Sequence, residues 1–224
     1  MSNVVGVLVF PGTNCEYDVV SAFSDLGVKS RLIWHRETDL QGLTSIVIPG
    51  GFAHGDYLRP GAIARFSPVM SAVIEFAASG KTVLGICNGF QILTEAGLLP
   101  GALQKNVGLS FLCDVVDCEV VSTNSPITAT LSKGETLSLP INHFEGNYTC
   151  SSEDLKRLID EDRVLLRYVK NPNGSVYDIA AICNEQRNVV GMMPHPERAM
   201  SDLVGSSSGR KVLRAVLSSL EVVG

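Results

Sequence analysis

Short apolar runs alternate with helix-like segments through the first hundred residues, and this alternation restricts the fold more than any other feature. The runs lie at 4–10, 30–34, 45–51 and 81–86. Glycines and prolines at the expected ends of the intervening segments mark them as helices, as in the segment that begins at Pro68. Strands joined by helices predict an α/β fold with an open, mainly parallel sheet and helices on both faces.

The second half of the chain carries more β signals than helix signals. Strands are predicted over 113–121 and 136–146, and a hairpin or meander is predicted around the Pro-Asn-Gly turn at 172–174. A short helix is predicted over 152–160 and an amphipathic helix over 208–220. The chain has no repeat, linker or low-complexity run. We therefore expect a single domain covering residues 1–224, with a small β elaboration in its second half.

The composition argues against several classes of function. The 224 residues carry a formal net charge of −5 with scattered basic residues, which disfavours nucleic-acid binding. No apolar run reaches the roughly 18 residues of a membrane helix, and the start lacks the features of a signal peptide. The six dispersed cysteines indicate reduced thiols in a cytoplasmic protein. Cys113 and Cys118 have no second ligand pair, so no metal site is expected.

Cys87 lies in the sequence Gly-Ile-Cys-Asn-Gly, between a predicted strand and a helix predicted from about Asn88 to Glu95. This is the setting of a nucleophile elbow, a tight turn that needs glycine on both sides and exposes one reactive side chain. A thiol at a helix N-terminus is favoured as the nucleophilic thiolate. The alternative is a buried thiol in an ordinary turn, which is the role we expect for the other five cysteines.

A cysteine nucleophile needs a base, and His195 stands in the most suggestive of the four histidine contexts. Prolines flank it on both sides in Pro-His-Pro-Glu-Arg and favour an extended backbone. Residues two apart in an extended segment point the same way, so Glu197 is expected to meet the imidazole. A carboxylate there orients the base, as the third member of a catalytic triad does. The alternative is a proline-rich loop in which Glu197 pairs with Arg198.

Two further groups complete the predicted site. Gly50 and Gly51 follow the third strand, where backbone N–H groups are free to face an oxyanion together with the N–H of Asn88. Gln91 comes four residues after Cys87 and therefore lies on the same helix face, in position to bind a polar substrate. A plain tight turn is the alternative for the glycine pair.

These motifs, in this order, resemble the class I glutamine amidotransferases. The segments 49–66, 85–93 and 191–198, with the openings at 11–18 and 34–40, are similar to the glutaminase subunits of phosphoribosylformylglycinamidine synthase, in purine biosynthesis. The resemblance covers nearly the whole chain. It implies that Cys87 attacks the side-chain amide of glutamine, that His195 moves the proton, and that Glu197 orients His195.

The resemblance also implies an oxyanion hole at Gly51 and Asn88, and a role for Gln91 in seating glutamine. Ammonia would pass to a separate synthase subunit, and a small third subunit is expected in the complex. No cofactor is expected in this chain, whereas ATP and Mg²⁺ are expected on the synthase subunit.

Some questions stay open from the sequence. The segment around His143 and Glu145 departs from the family pattern, so its part in glutamine or partner contacts is undecided. The loop 56–65, with Asp56, Arg59 and Arg65, is a hypothetical partner surface. Competing functions are the glutaminase of another synthase (for histidine, pyridoxal phosphate or GMP), a stand-alone cysteine hydrolase, and a binding module without catalytic activity.

Overall fold

A computed structural model of the chain describes residues 3–56 and 61–221, with side chains over 3–54 and 61–218. Nine of its strands form one sheet in the order β2-β1-β3-β4-β11-β10-β9-β6-β7, and β5 pairs with β8 in a separate two-stranded sheet. The strands are β1 (Val4–Val9), β2 (Lys29–Trp34), β3 (Ser45–Ile48), β4 (Thr82–Ile86), β5 (Ala102–Gln104), β6 (Leu112–Val120), β7 (Thr136–His143), β8 (Asn147–Thr149), β9 (Val164–Tyr168), β10 (Ile179–Cys183) and β11 (Val189–Met192).

The first four strands and β11 form the parallel half of the sheet. β1 pairs with β2 and β3, β3 with β4, and β4 with β11, each in parallel register. The prediction of an open, mainly parallel α/β sheet is confirmed for this half. Parallel strands share the edge at which they end, so the segments that follow β1, β3, β4 and β11 meet there.

The same sheet continues beyond β11 with four antiparallel strands, β10, β9, β6 and β7. β11 pairs with β10, β10 with β9, β9 with β6, and β6 with β7. The four alternations bring β7 back to the direction of β11, so its final residue, His143, also reaches the carboxyl edge of the parallel half. The predicted β elaboration therefore reaches the same edge as the predicted elbow.

In the described part of the chain, five α-helices accompany the sheet, at the positions that their sequence signals predict. They are α1 (Glu16–Asp25), α2 (Pro68–Ala78), α3 (Asn88–Glu95), α4 (Ser152–Asp160) and α5 (Ser208–Glu221). α1 packs on β1 and β2, and α3 packs on β3, β4 and β11. The buried apolar side chains form one continuous core, and its largest fully buried members include Phe10, Phe23, Phe90 and Tyr148.

The structure tests two sequence predictions only within the described residues. The single domain over residues 1–224 stays a prediction, because it includes residues outside the described part. Among the helices in that part, none has the length and apolar character needed to cross a membrane.

Candidate active site

Cys87 occupies a strained strand-to-helix turn. Its backbone has φ 52° and ψ −107°, between the end of β4 and the start of α3, and a positive φ is rare for a residue with a side chain. Neither neighbouring glycine tolerates a side chain. A Cβ on Gly85 would lie 2.6 Å from the carbonyl oxygen of Gly89, and a Cβ on Gly89 would overlap the carbonyl oxygen of Ile48. The elbow geometry predicted from the sequence is present.

His195 reaches Cys87 because β11 lies beside β4. Met192 is in register with Ile86, and the N–H of Cys87 donates to the carbonyl oxygen of Met192 at 2.8 Å. The chain leaves β11 at the same edge where β4 ends, and the N–H of His195 donates to the carbonyl oxygen of Pro140 at 2.8 Å. A pairing between strands a hundred residues apart therefore brings the two motifs together.

Glu197 contacts the imidazole through a short hydrogen bond. The Nδ1 atom of His195 donates to Oε1 of Glu197 at 2.6 Å, and both side chains are buried. The pair meets in a different way from the one that the sequence suggested. Residues Pro196–Arg198 form a 3-10 turn rather than an extended strand, and this turn folds the carboxylate back onto the ring.

The electrostatics of this cluster favour a charged imidazole. Burial alone would lower the pKa of His195, but the Glu197 carboxylate, with the nearby Cys87, raises it well above its ordinary value. Bound to the Glu197 carboxylate through Nδ1, the ring turns its other nitrogen, Nε2, to the site. Nε2 is buried and has no hydrogen-bond partner in the part of the chain that the structure describes. The ring is therefore placed to exchange a proton with a bound molecule.

The glycine pair after β3 lies tightly against this cluster. A Cβ on Gly50 would lie 2.7 Å from Cε1 of His195 and 3.4 Å from Cβ of Cys87. Gly51 has φ 138°, and a Cβ there would lie 2.8 Å from the backbone nitrogen of Asn14. Only glycine allows the chain to approach so closely at these two positions.

Asn88 and Gln91 are fixed by hydrogen bonds inside the protein. The side-chain oxygen of Asn88 accepts from the N–H of Ala53 at 3.2 Å, and its nitrogen donates to the side-chain oxygen of Gln91 at 2.8 Å. The Gln91 nitrogen in turn donates to the carbonyl oxygen of Glu145 at 2.6 Å. These bonds connect α3 to the segment that follows β7, so they fix one wall of the site.

A cavity of about 200 Å³ opens over these residues. Cys87, His195, Gly51 and Gln91 line it, while Gly50, Asn88 and Glu197 lie outside the lining. Residues that the sequence did not single out as part of the site complete the wall. They are Asn14, Cys15, Phe52, Asn142 and Phe144, together with His143 and Glu145, whose roles the sequence left undecided.

His143 is held as a neutral ring at the end of β7. Its Nδ1 lies 3.1 Å from the side-chain oxygen of Asn106, which also accepts from the N–H of Gly146. The amide nitrogen of Asn106 donates to two carbonyl oxygens, so its oxygen is the acceptor and Nδ1 of His143 carries the proton. Burial, with the nearby His195, lowers the pKa of His143 to about 4. Its buried Nε2 is therefore an unprotonated acceptor at the cavity wall.

The remaining predicted features fall into three groups. Cys118 and Cys183 are buried as expected, Cys150 is half-buried, and Cys113 is exposed, so the expectation of packing is wrong for Cys113. Cys15 is buried but also lines the cavity. The side chain of Asp56 and all of Arg59 lie outside the described residues. Arg65 is held by α3, donating to the carbonyl oxygen of Glu95 at 3.2 Å. Sequence reasoning could have found Cys15, because it directly follows a loop at the carboxyl edge of a parallel strand.

The comparison with protein families agrees with the geometry. A family model for CobB/CobQ-like glutamine amidotransferase domains matches residues 2–212. The chain belongs to this family of glutamine amidotransferases. Glutamine amidotransferases catalyse acyl transfer, and a cysteine at an elbow near a buried His–Glu pair is an arrangement suited to that chemistry.

Individual relatives refine this assignment. The amidotransferase is 54% identical over 215 residues to the phosphoribosylformylglycinamidine synthase subunit PurQ of Prochlorococcus marinus strain NATL2A, covering 96% of this chain and 99% of the relative. It is 53% identical over 218 residues to the PurQ subunit of Rubrobacter xylanophilus, covering 97% and 99%. The resemblance to these glutaminase subunits is confirmed.

Solved structures support the fold. A chain in the structure of PurLQS from Thermotoga maritima superposes with a TM-score of 0.91 at 41% identity, covering 98% of this amidotransferase and all of that chain. Another glutamine amidotransferase from Thermotoga maritima superposes with a TM-score of 0.64 at 13% identity, covering 98% of this chain and 98% of the other. The second likeness supports the fold alone.

Proposed function

We propose that this chain is the glutaminase subunit of a phosphoribosylformylglycinamidine synthase. It hydrolyses glutamine to glutamate and ammonia, and the ammonia serves the conversion of formylglycinamide ribonucleotide to formylglycinamidine ribonucleotide in purine biosynthesis. The observation that carries the proposal is the parallel pairing of β4 with β11. It brings Cys87 and His195 to one cavity, with Glu197 bound to the imidazole outside the lining.

The first half of the reaction forms a thioester. The Cys87 thiol gives its proton to His195, and the sulfur attacks the side-chain amide carbon of glutamine. The negative oxygen of the tetrahedral intermediate is held by the N–H groups of Gly51 and Asn88. The intermediate collapses with cleavage of the C–N bond, and His195 returns the proton to the departing ammonia.

The second half releases glutamate. His195 takes a proton from water, and the resulting hydroxide attacks the thioester carbonyl. The C–S bond then breaks, and His195 returns the proton to the Cys87 sulfur. Glu197 keeps the ring oriented and stabilises its charged form in both halves, which agrees with the raised pKa of His195. Gln91 seats the substrate, since its side chain is fixed between Asn88 and the carbonyl oxygen of Glu145.

The ammonia is useful only if a second protein accepts it. The relatives are named as subunits of a synthase, and the first Thermotoga chain comes from a structure of PurLQS. We propose that this chain likewise works with a synthase subunit and a small third subunit. ATP and Mg²⁺ belong to the synthase subunit in this proposal, and this chain contributes no cofactor. The six free cysteines support a cytoplasmic site of action.

Glutamate release tests the proposal directly. The chain is incubated with glutamine alone, and then with the synthase subunits, ATP and formylglycinamide ribonucleotide. We expect weak release alone, a strong rise with the partners, and none from Cys87→Ala. Cys113→Ala is the matched control, because it removes an exposed thiol and should leave release unchanged. Strong turnover without partners that survives Cys87→Ala would refute the proposal.

An electrophilic glutamine analogue gives a second test. It should label Cys87 and spare the exposed Cys113, which measures non-specific alkylation in the same sample. Equal labelling of the two thiols would count against a glutamine site at the elbow. Replacing the ribonucleotide by the acceptor of another synthase, such as that for GMP, distinguishes the competing amidotransferase functions.

A further inference from the structure

Cys15 is a second cysteine in the cavity wall, and it lies beside the imidazole rather than beside solvent. It is the residue just before α1 and is 2% exposed. Its sulfur, a ring nitrogen of His195 and a carboxylate oxygen of Glu197 all lie within 4.8 Å of one another. The same sulfur would be 3.3 Å from a Cβ on Gly50, the point that also meets Cε1 of His195.

The Cys15 sulfur links two separate segments by hydrogen bonds. Nη2 of Arg198 donates to the sulfur at 3.2 Å, and the thiol donates to the side-chain oxygen of Asn14 at 3.2 Å. Arg198 is itself fixed, since its Nε donates to Asp18 at 3.0 Å. The guanidinium beside the sulfur also disfavours a metal cation at this cluster, because like charges repel at short range.

The two residues bonded to Cys15, Arg198 and Asn14, both adjoin the proposed catalytic site. Arg198 directly follows Glu197, the partner of the imidazole. Asn14 lies against Gly51, since a Cβ on Gly51 would be 2.8 Å from its backbone nitrogen and 3.2 Å from its side-chain oxygen. Contacts through Cys15 therefore connect the segment that carries the base to the loop that carries the proposed oxyanion donor.

We propose that Cys15 is a positioning residue that fixes the imidazole of His195 relative to Gly51 and to the Cys87 sulfur. Gly50 and Cys15 both lie close to the ring, and together with the hydrogen bond to Glu197 they restrict its movement. The reaction needs a fixed orientation of the ring in both halves, because Nε2 must reach the thiol, the leaving ammonia and the attacking water in turn. This inference rests on the proposed glutaminase function and adds a residue to its machinery.

The test compares Cys15→Ala and Cys15→Ser in the complex with the synthase subunits, in the presence of a reductant. Alanine removes both hydrogen bonds, whereas serine keeps a donor and an acceptor. We expect Cys15→Ala to lower kcat by roughly 10- to 100-fold, the range expected for a misplacement of up to 1 Å. The KM for glutamine should change little, and Cys15→Ser should retain most of the activity.

The pH profile separates positioning from loss of stability. The contact with Cys15 helps to raise the pKa of His195, so the alkaline limb of kcat/KM should move to lower pH in Cys15→Ala. Cys183→Ala, which removes a buried thiol from β10, is the matched control and should not move it. Wild-type kcat and pH profile in Cys15→Ala would overturn the inference.

A second variant covers the case in which Cys15→Ala does not fold. Arg198→Lys keeps the charge but lacks the planar fork that reaches both Cys15 and Asp18. We expect the same selective loss of kcat, and unchanged kinetics would overturn the inference. Absence of glutaminase activity in the wild-type complex would instead refute the proposed function, so the two failures are distinguishable.

Discussion

Gly50→Ala is the most informative substitution in the site, because it adds one methyl group at the point where three functional side chains converge. The new Cβ would lie 2.7 Å from Cε1 of His195, where ordinary contact begins at 3.4 Å. The ring must therefore retreat by about 0.7 Å. The same new Cβ would lie 3.3 Å from the Cys15 sulfur and 3.4 Å from Cβ of Cys87, which is at or near the limit of ordinary contact.

The ring has little freedom to make this retreat. Glu197 holds its Nδ1 at 2.6 Å, its own backbone N–H is bound to Pro140, and the side chain is buried. Overpacking of this kind costs about 1–3 kcal/mol of folding stability. A misplacement near 1 Å costs about 100-fold in rate, so we expect kcat to fall on the order of 10- to 100-fold.

The assay is glutamate release by the complex with the synthase subunits, together with thermal unfolding of the variant. Gly108→Ala is the control, since its nearest neighbour, Oγ of Ser110, lies at 3.5 Å. It should match the wild type in both measurements. Wild-type kcat in Gly50→Ala would show that the imidazole of His195 is not confined at this point. It would also contradict the inference that Cys15 positions this ring.

Three further predictions concern the same edge of the sheet. Glu197→Gln removes the charge that raises the pKa of His195, so the alkaline limb of kcat/KM should move to lower pH, with kcat reduced by about 100-fold or more. His143 has a pKa of about 4 when folded and 6.5 when unfolded, so its stabilising contribution is present above pH 6.5 and lost towards pH 4. Between pH 6.5 and pH 4, the free energy of unfolding measured with urea should change by up to about 3 kcal/mol less in His143→Gln than in the wild type. Gly89→Ala places a Cβ on the carbonyl oxygen of Ile48 and should prevent folding, as judged by circular dichroism.

Each of these predictions has an opposite outcome that would contradict it. An unchanged alkaline limb in Glu197→Gln would mean that the carboxylate does not control the imidazole. Equal pH dependence of wild type and His143→Gln would mean that folding does not lower the pKa of His143. A stable, active Gly89→Ala protein would mean that α3 does not approach β3 as closely as the structure shows.

Local features of the fold followed from the sequence. α2 begins at Pro68 and ends at Ala78, and α3 runs from Asn88 to Glu95, as the capping and periodicity signals predict. Helix ends and tight turns depend on neighbouring residues, so the chemistry that decides them is visible in a short stretch of chain. The elbow at Cys87 is such a feature, because its two glycines are required by contacts within a few residues and with the adjacent strand.

The order of the strands was decided only by the tertiary structure. No residue pattern within the sequence places β11 beside β4, although the family resemblance implied that His195 and Cys87 act together. This strand pairing brings the two residues to the same edge of the sheet. The sequence also predicted contact between His195 and Glu197 from an extended segment, whereas a 3-10 turn produces it. Long-range pairing depends on the fit of whole faces of the sheet, which a periodic pattern does not encode.

Cys15 is the clearest case of a residue whose surroundings were decided by the tertiary structure. In the sequence it is one of the five cysteines outside the elbow, and packing is the expectation for all five. In the structure the loop after β1 ends at the same edge as β3, β4 and β11, which places its sulfur between His195 and Arg198. From the sequence alone, the turn at Cys87 and the candidate His195–Glu197 pair could be predicted. The parallel arrangement of the strands decided which other side chains surround them, because contacts across a sheet edge join residues that are distant in the chain.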